Sequence, residues 1–168
     1  TEAIAMGAYS LTITGSVNVT GIITGTGPVN FGAIINNALA KLSGNNTFTG
    51  NVIINQPVLV SHPNGLGGTN GKTKIDVNGS LLLKGGISLV EDTIDMWSSN
   101  AATTGIHNYS DTNTISSTIL ITITSRINSD SGNLILNSST NPIFLNSRLA
   151  GSESGSKWEA ISCAMPSP

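Results

Sequence analysis

Hydrophobic and polar residues alternate along this chain in short bursts, and most bursts end on glycine or asparagine. Residues 9–14, YSLTIT, set Leu11 and Ile13 against Ser10, Thr12 and Thr14. Gly15 interrupts, and residues 16–20, SVNVT, alternate again before Gly21. Strict alternation puts one side of the segment in a core and the other in water, which is the signature of a half-buried strand. Residues 47–55 (TFTGNVIIN), 74–77, 80–84 (SLLLK), 87–90, 134–136 and 143–145 read as strands too. The longest candidate is 114–127, TISSTILITITSRI. It carries Ile119, Ile121 and Ile123 on one face and Thr118, Leu120, Thr122 and Thr124 on the other. Near the end, residues 155–162, GSKWEAIS, place Trp158 and Ile161 in a last short strand.

Turn chemistry separates these runs. Residues 25–28 (GTGP), 43–46 (SGNN) and 130–133 (DSGN) are turns. Asn78-Gly79 between two β runs predicts a hairpin. Residues 61–71, SHPNGLGGTNG, form a long surface loop, and 98–113 are polar and turn-rich. One segment departs from the pattern. Residues 33–42, AIINNALAKL, set Ile35, Leu39 and Leu42 at helical spacing with Ala38 beside them. That predicts a short helix packed on its neighbours, since so short a helix is unstable alone.

Turns arrive about every 8–12 residues, so the fold class is all-β. No strict repeat is visible, which leaves an elongated fibre-like module, a β-helix and a β-sandwich all open. The chain divides into an N-terminal β-repeat region with the short helical segment (1–60), a Gly/Asn-rich loop (61–73) and a C-terminal β module (74–168).

Composition sharpens this reading. Charged residues are 10% and aromatics 4%, against about 25% charged in ordinary domains. Gly, Asn, Ser and Thr fill the difference. The mean hydropathy of +0.14 and the clear strand pattern oppose disorder. Lys and Arg total 7, scattered from Lys41 to Lys157, and the net charge is −2. The basic stripe of a nucleic-acid partner is therefore missing. No apolar run reaches the roughly 20 residues of a membrane span. Residues 1–10 lack the charged and apolar regions of a signal peptide. Cys163 is the single cysteine, so no intrachain disulfide forms.

Candidate chemistry is sparse. Residues 65–73, GLGGTNGKT, approach a phosphate-binding loop, but the spacing demands glycine where Leu66 stands. The following KIDV alternates as a strand, whereas that motif opens a helix. His62 and His107, the only histidines, lie in different predicted loops and read as solvated. Glu91, Asp92 and Asp95 form the one acidic cluster. Glu91 and Asp92 are strand neighbours that point to opposite faces, and the spacing is not that of a calcium loop. Sequons at Asn18, Asn45, Asn78, Asn108 and Asn137 are expected by chance in a chain so rich in Asn, Ser and Thr. No catalytic, cofactor-binding or metal-ligating residue is assigned, and no cofactor is expected.

Three stretches carry a resemblance. Residues 39–51, LAKLSGNNTFTGN, resemble an element of bacteriophage tail fibres and related receptor-binding proteins. Residues 11–27, LTITGSVNVTGIITGTG, resemble low-charge β-repeats in fibres of phages and large DNA viruses. GSKWEAIS is similar to the closing strand with a lone Trp that ends such modules. The resemblance covers about a third of the chain and brings no catalytic residues. It implies a homotrimer of intertwined strands with a structural or host-attachment role. Residues 42–55 are also similar to passenger repeats of autotransporters, where such a run starts a coil of a parallel β-helix.

The expectation is a non-enzymatic, trimeric fibre, spike or decoration protein on a virion tail or capsid surface. Its partners would be copies of itself, other virion structural proteins and a host-surface glycan or protein receptor, with no nucleic acid and no membrane insertion. The trimer would bury the Ile121 face between chains, because an uncharged strand edge invites aggregation. A cell-surface adhesin or filament subunit is the first alternative. A polysaccharide-degrading β-helix is the second; it needs paired acids and aromatic platforms.

Overall fold

In a computed structural model, residues 2–32, 38–90, 93–98, 105–137, 143–145 and 149–150 are described. They hold nineteen short strands and no helix. The chain winds as a succession of short strands that stack in parallel, rung upon rung. The first rung carries β1 (Ile4–Ala5), β2 (Leu11–Ile13) and β3 (Val17–Val19). The second carries β4 (Ile23–Thr24), β5 (Val29–Phe31) and β6 (Ala40–Leu42). The third has β7 (Val52–Ile54) and β8 (Pro57–Val60), and the fourth β9 (Lys72–Ile75) and β10 (Ser80–Leu83). The fifth has β11 (Ser88–Leu89), β12 (Thr93–Met96) and β13 (Gly105–Asn108). The sixth has β14 (Thr112–Ile115), β15 (Thr118–Ile121) and β16 (Ser125–Ser129). The seventh has β17 (Asn133–Leu136), β18 (Ile143–Leu145) and β19 (Leu149–Ala150).

Two 7-stranded parallel sheets form the long walls, β2-β5-β7-β9-β12-β15-β18 and β3-β6-β8-β10-β13-β16-β19. A third wall is regular at its ends, where β1 pairs β4 and β11-β14-β17 form a 3-stranded sheet. Between them the ladder continues through single bonds. Thr47 and Thr49 N–H donate to the carbonyls of Ile23 and Gly25, both at 2.9 Å, and Gly68 N–H donates to Phe48 at 2.7 Å. The fold is a β-solenoid, all-β as the sequence predicts.

Its interior is a stack of in-register side chains. In the first long wall, Val29, Val52, Thr73, Ile94 and Ile119 lie one above another, as do Phe31, Ile54, Ile75, Met96 and Ile121. In the second, Ala40, Val58, Leu81, Ile106 and Ile127 do the same. All are buried, and their apolar members share one cluster with Ile23, Phe48, Leu66, Leu89 and Ile115 of the third wall. Each fully buried Leu, Ile or Phe contributes about 1.5–3 kcal/mol.

Several expectations are corrected. The helix over 33–42 is not formed at its C-terminal end, where Ala40–Leu42 is strand β6; residues 33–37 lie outside the described residues. Ala38, Ala40 and Leu42 are buried while Lys41 is exposed, so period two wins over the helical spacing of Leu39 and Leu42. The single long strand 114–127 is three strands, β14, β15 and β16, on three walls. Ile119 and Ile121 share one face, but it is buried within this chain, where the sequence led to burial between chains, and Ile123 sits half-buried at the corner. Asn78-Gly79 makes no hairpin: β9 and β10 belong to different sheets, and the turn is an arch between them. Gly79 N–H donates to Asp76 at 2.7 Å, and a Cβ on Gly79 would lie 2.1 Å from the Ile54 carbonyl oxygen of the rung above. The loop at 61–71 is not wholly at the surface, because Leu66 is 1% exposed and packs in the core. Within the polar stretch 98–113, Gly105–Asn108 is strand β13.

Candidate recognition surface

With the interior packed by side chains, the chemistry available to a partner stands on the outer walls. Outward residues of the first long wall form a lattice set by the register. Ile53, Lys74, Asp95 and Leu120 make one outer column, and Trp97 and Thr122 follow Met96 and Ile121 in the neighbouring one. This lattice is internally engaged. The Lys74 ammonium lies 5.0 Å from the centroid of the Trp97 ring and 3.4 Å from Asp76 Oδ1. Thr122 Oγ1 donates to Asp95 Oδ1 at 2.7 Å. The cation covers the indole face and each carboxylate has a partner, which gives the wall a stabilising patch. Of the acidic cluster predicted at 91–95, Asp95 alone falls within the described residues.

The second long wall differs. His107, expected as a solvated loop residue, lies in β13 with its side chain 12% exposed. Its neighbours in the ladder explain the concealment. Leu82 is its partner on β10, and Ser80 on that strand pairs with both Pro57 and Gly105. Pro57, Ser80, Leu82 and His107 line a hollow of about 100 Å3. His107 Nδ1 lies 3.7 Å from Asp130 Oδ2, while Nε2 is buried without a hydrogen-bond partner. Asp130 also accepts a short bond from Asn128 Nδ2. Burial holds the His107 pKa below the usual imidazole value, against the pull of the Asp130 carboxylate; the Arg126 charge adds to the lowering.

The corner joining the second and third walls is built from buried amides. Ile87 N–H donates to Asn113 Oδ1 at 2.9 Å, and Asn113 Nδ2 donates to Asn108 Oδ1 at 2.6 Å. Asn108 Nδ2 donates to the carbonyls of Asp111 and Ser131 and to Ser129 Oγ. Higher in the stack, Ile23 N–H donates to Asn46 Oδ1 and Asn46 Nδ2 to the Gly65 carbonyl, at 2.8 and 2.7 Å. Asp111 holds a φ of 69°, and its carboxylate accepts from the Ser110 hydroxyl and the Gly85 N–H, which keep its pKa below the usual carboxylate value. The sequon at Asn108 is therefore a structural corner, fully buried. Those at Asn18, Asn45 and Asn78 stand exposed.

The remaining candidates are not brought together. His62 Nδ1 accepts from the Asn64 N–H at 3.0 Å, in the turn that follows β8, and is not brought to His107 in β13. Residues 65–73 run into strand β9 at Lys72 and open no helix. Glu91, Asp92, Trp158, Ile161 and Cys163 lie outside the described residues. Among the described residues no group of three His, Cys, Asp or Glu side chains could hold a metal ion, and no helix is long and apolar enough to cross a membrane. Sequence reasoning missed the hollow at His107, because it depends on which residue of the next rung lies alongside. Compared with known proteins, the chain matches no family model, no curated protein and no solved structure.

Proposed function

We propose that this chain is a structural and adhesive module, a fibre, spike or decoration protein of a virion surface that binds rather than turns over its partner. One observation carries the reading: a parallel β-solenoid packed through its interior, with its polar chemistry displayed on its outer walls. Such a scaffold holds surface groups in fixed positions at little cost in conformational entropy on binding. The scarcity of charge and the resemblance to viral fibre repeats support a virion over a cell surface as the site of display. A homotrimer belongs to the same proposal. Its interface would lie on the outer walls, since the Ile121 face expected between chains is buried within one chain.

The test has two parts. Immunogold labelling with antibody against the chain should decorate particle surfaces; label confined to the interior of cells would overturn the reading. Sedimentation equilibrium should give a mass near three times the 17.2 kDa chain, and a single-chain mass at micromolar concentration would remove the trimer.

A further inference from the structure

The hollow on the second long wall is an apolar dimple. Pro57 of the third rung, Ser80 and Leu82 of the fourth and His107 of the fifth line it, and its open surface is almost all carbon. The polar groups behind that lining are withdrawn, since Ser80 and His107 Nε2 are buried. Leu39 and Leu59 point outward, half-buried, on the second and third rungs and continue the apolar patch along the wall. At about 100 Å3 the hollow is far smaller than the roughly 300–1,000 Å3 of a site that engulfs a ligand. It fits one apolar side chain pressed in from outside, the arrangement found at the centre of protein interfaces.

In a trimer, symmetry names that side chain. A threefold axis parallel to the solenoid turns one copy into the next without shifting it along the tube. Each rung therefore meets the same rung of its neighbour, and a residue one rung off would miss by about 4.8 Å. The hollow is centred on the fourth rung. Of the exposed large apolar side chains among the described residues, Val77 is the one on that rung; Ile53 stands on the third and Trp97 on the fifth. Val77 sits at the corner between β9 and β10, where the first wall meets the second. In a three-walled tube with walls of similar length, that corner and the second wall face directions about 60° apart. In a ring of three, each copy also meets its two neighbours in directions about 60° apart, whereas in a ring of four the angle is about 90°.

The corner is pinned before any partner arrives. Asp76 N–H donates to the Ile54 carbonyl at 2.8 Å, and Gly79 N–H donates to the Asp76 carbonyl at 2.7 Å. Val77 N–H donates to Asp76 Oδ1 at 3.0 Å, an oxygen that the Lys74 ammonium also engages at 3.4 Å. A side chain carried on so fixed an arch loses little conformational entropy on docking.

We infer that Val77 of one copy inserts into the hollow bounded by Pro57, Ser80, Leu82 and His107 on the next, three times around a cyclic homotrimer. The inference rests on the trimer proposed above and assigns its contact.

The experiment uses the chain with Cys163→Ser, carrying Val77→Cys and Leu82→Cys together. Mild oxidation should give a covalent trimer on a non-reducing denaturing gel. Ile53→Cys with Leu82→Cys, one rung out, should remain single-chain. Val77→Asp should lower the sedimentation mass from three chains to one at the same micromolar concentration. Its circular dichroism should not change, because Val77 is already exposed in the lone chain. Val77→Ile should keep three chains together. A wild type of three chains without the covalent trimer would overturn the inference and leave the trimer standing. So would equal crosslinking through Ile53→Cys, or a Val77→Asp variant that still sediments as three. A single-chain mass for the wild type would remove both.

Discussion

Ile121 and Leu120 are neighbours with opposite fates. Ile121 is fully buried between Met96 and the next rung, while Leu120 stands half-buried on the outer wall. Ile121→Lys places an ion in a core that offers no partner, and we expect a loss of about 3–5 kcal/mol. Leu120→Lys should stay within about 0.5 kcal/mol. Urea unfolding midpoints of the two variants check this. Equal midpoints would mean that the alternation along β15 does not separate core from surface. That alternation was legible in the sequence, because period two needs only local information. The burial of His107 was not. Nothing in GIHNYS announces it; it follows from Leu82 and Pro57 lying alongside on rungs 25 or more residues earlier in the chain.

His107 also sets a pH dependence. Its folded pKa is lowered from 6.5, so just below that value the unfolded chain binds a proton that the native chain refuses. Stability is therefore complete above about pH 6.5 and falls as the pH drops toward the folded value. His107→Gln should lessen the slope of unfolding free energy against pH between 7 and 5, relative to the wild type. Identical slopes would show that the imidazole is as accessible in the native state as in the unfolded one.

At the level of elements, the informative unit is the corner. The sequence marks corners well: Gly15, Asn78-Gly79 and the DSGN turn all sit where the chain changes wall. What local turn chemistry does not reveal is whether the next strand folds back or continues onto a new wall. Asn78-Gly79 suits a hairpin and an arch alike, and only the pairing of β9 with β7 and β12 decides for the arch. The misread helix has the same origin. ALAKL satisfies both periods, and the ladder from Ala40 to Val17 and Val58 selects the strand. Buried asparagines hold the arches where backbone groups would go unpaired. Asn113→Ala would leave the Ile87 N–H without its acceptor and remove the donor to Asn108. We expect a cost of about 1–3 kcal/mol, and faster hydrogen exchange at Ile87 than at Leu89. Unchanged exchange at Ile87 would mean that its protection does not depend on the amide.

For the whole molecule, the solenoid was one of three architectures that the pattern left open. It stayed hidden because the rungs differ in length. Paired residues Leu11, Val29, Val52, Thr73, Ile94, Ile119 and Ile143 step by 18 to 25 residues, so no fixed period survives. Stacking tolerates this, because each rung needs only its inward residues in register and sends spare length out at the corners. The same stacking closes within one chain the ladders that the composition suggested were closed between chains.

That closure is the central claim, and distances along one outer column test it most directly. Thr12, Asn30, Ile53, Lys74, Asp95 and Leu120 occupy successive rungs of the first wall. Parallel strands lie about 4.8 Å apart, so spin labels on Thr12 and Lys74, Thr12 and Asp95, and Thr12 and Leu120 should give backbone separations near 14, 19 and 24 Å. These distances should persist when labelled chain is diluted into a large excess of unlabelled chain. A separation that fails to grow from Lys74 to Leu120, or one that vanishes on dilution, would contradict a solenoid closed within a single chain.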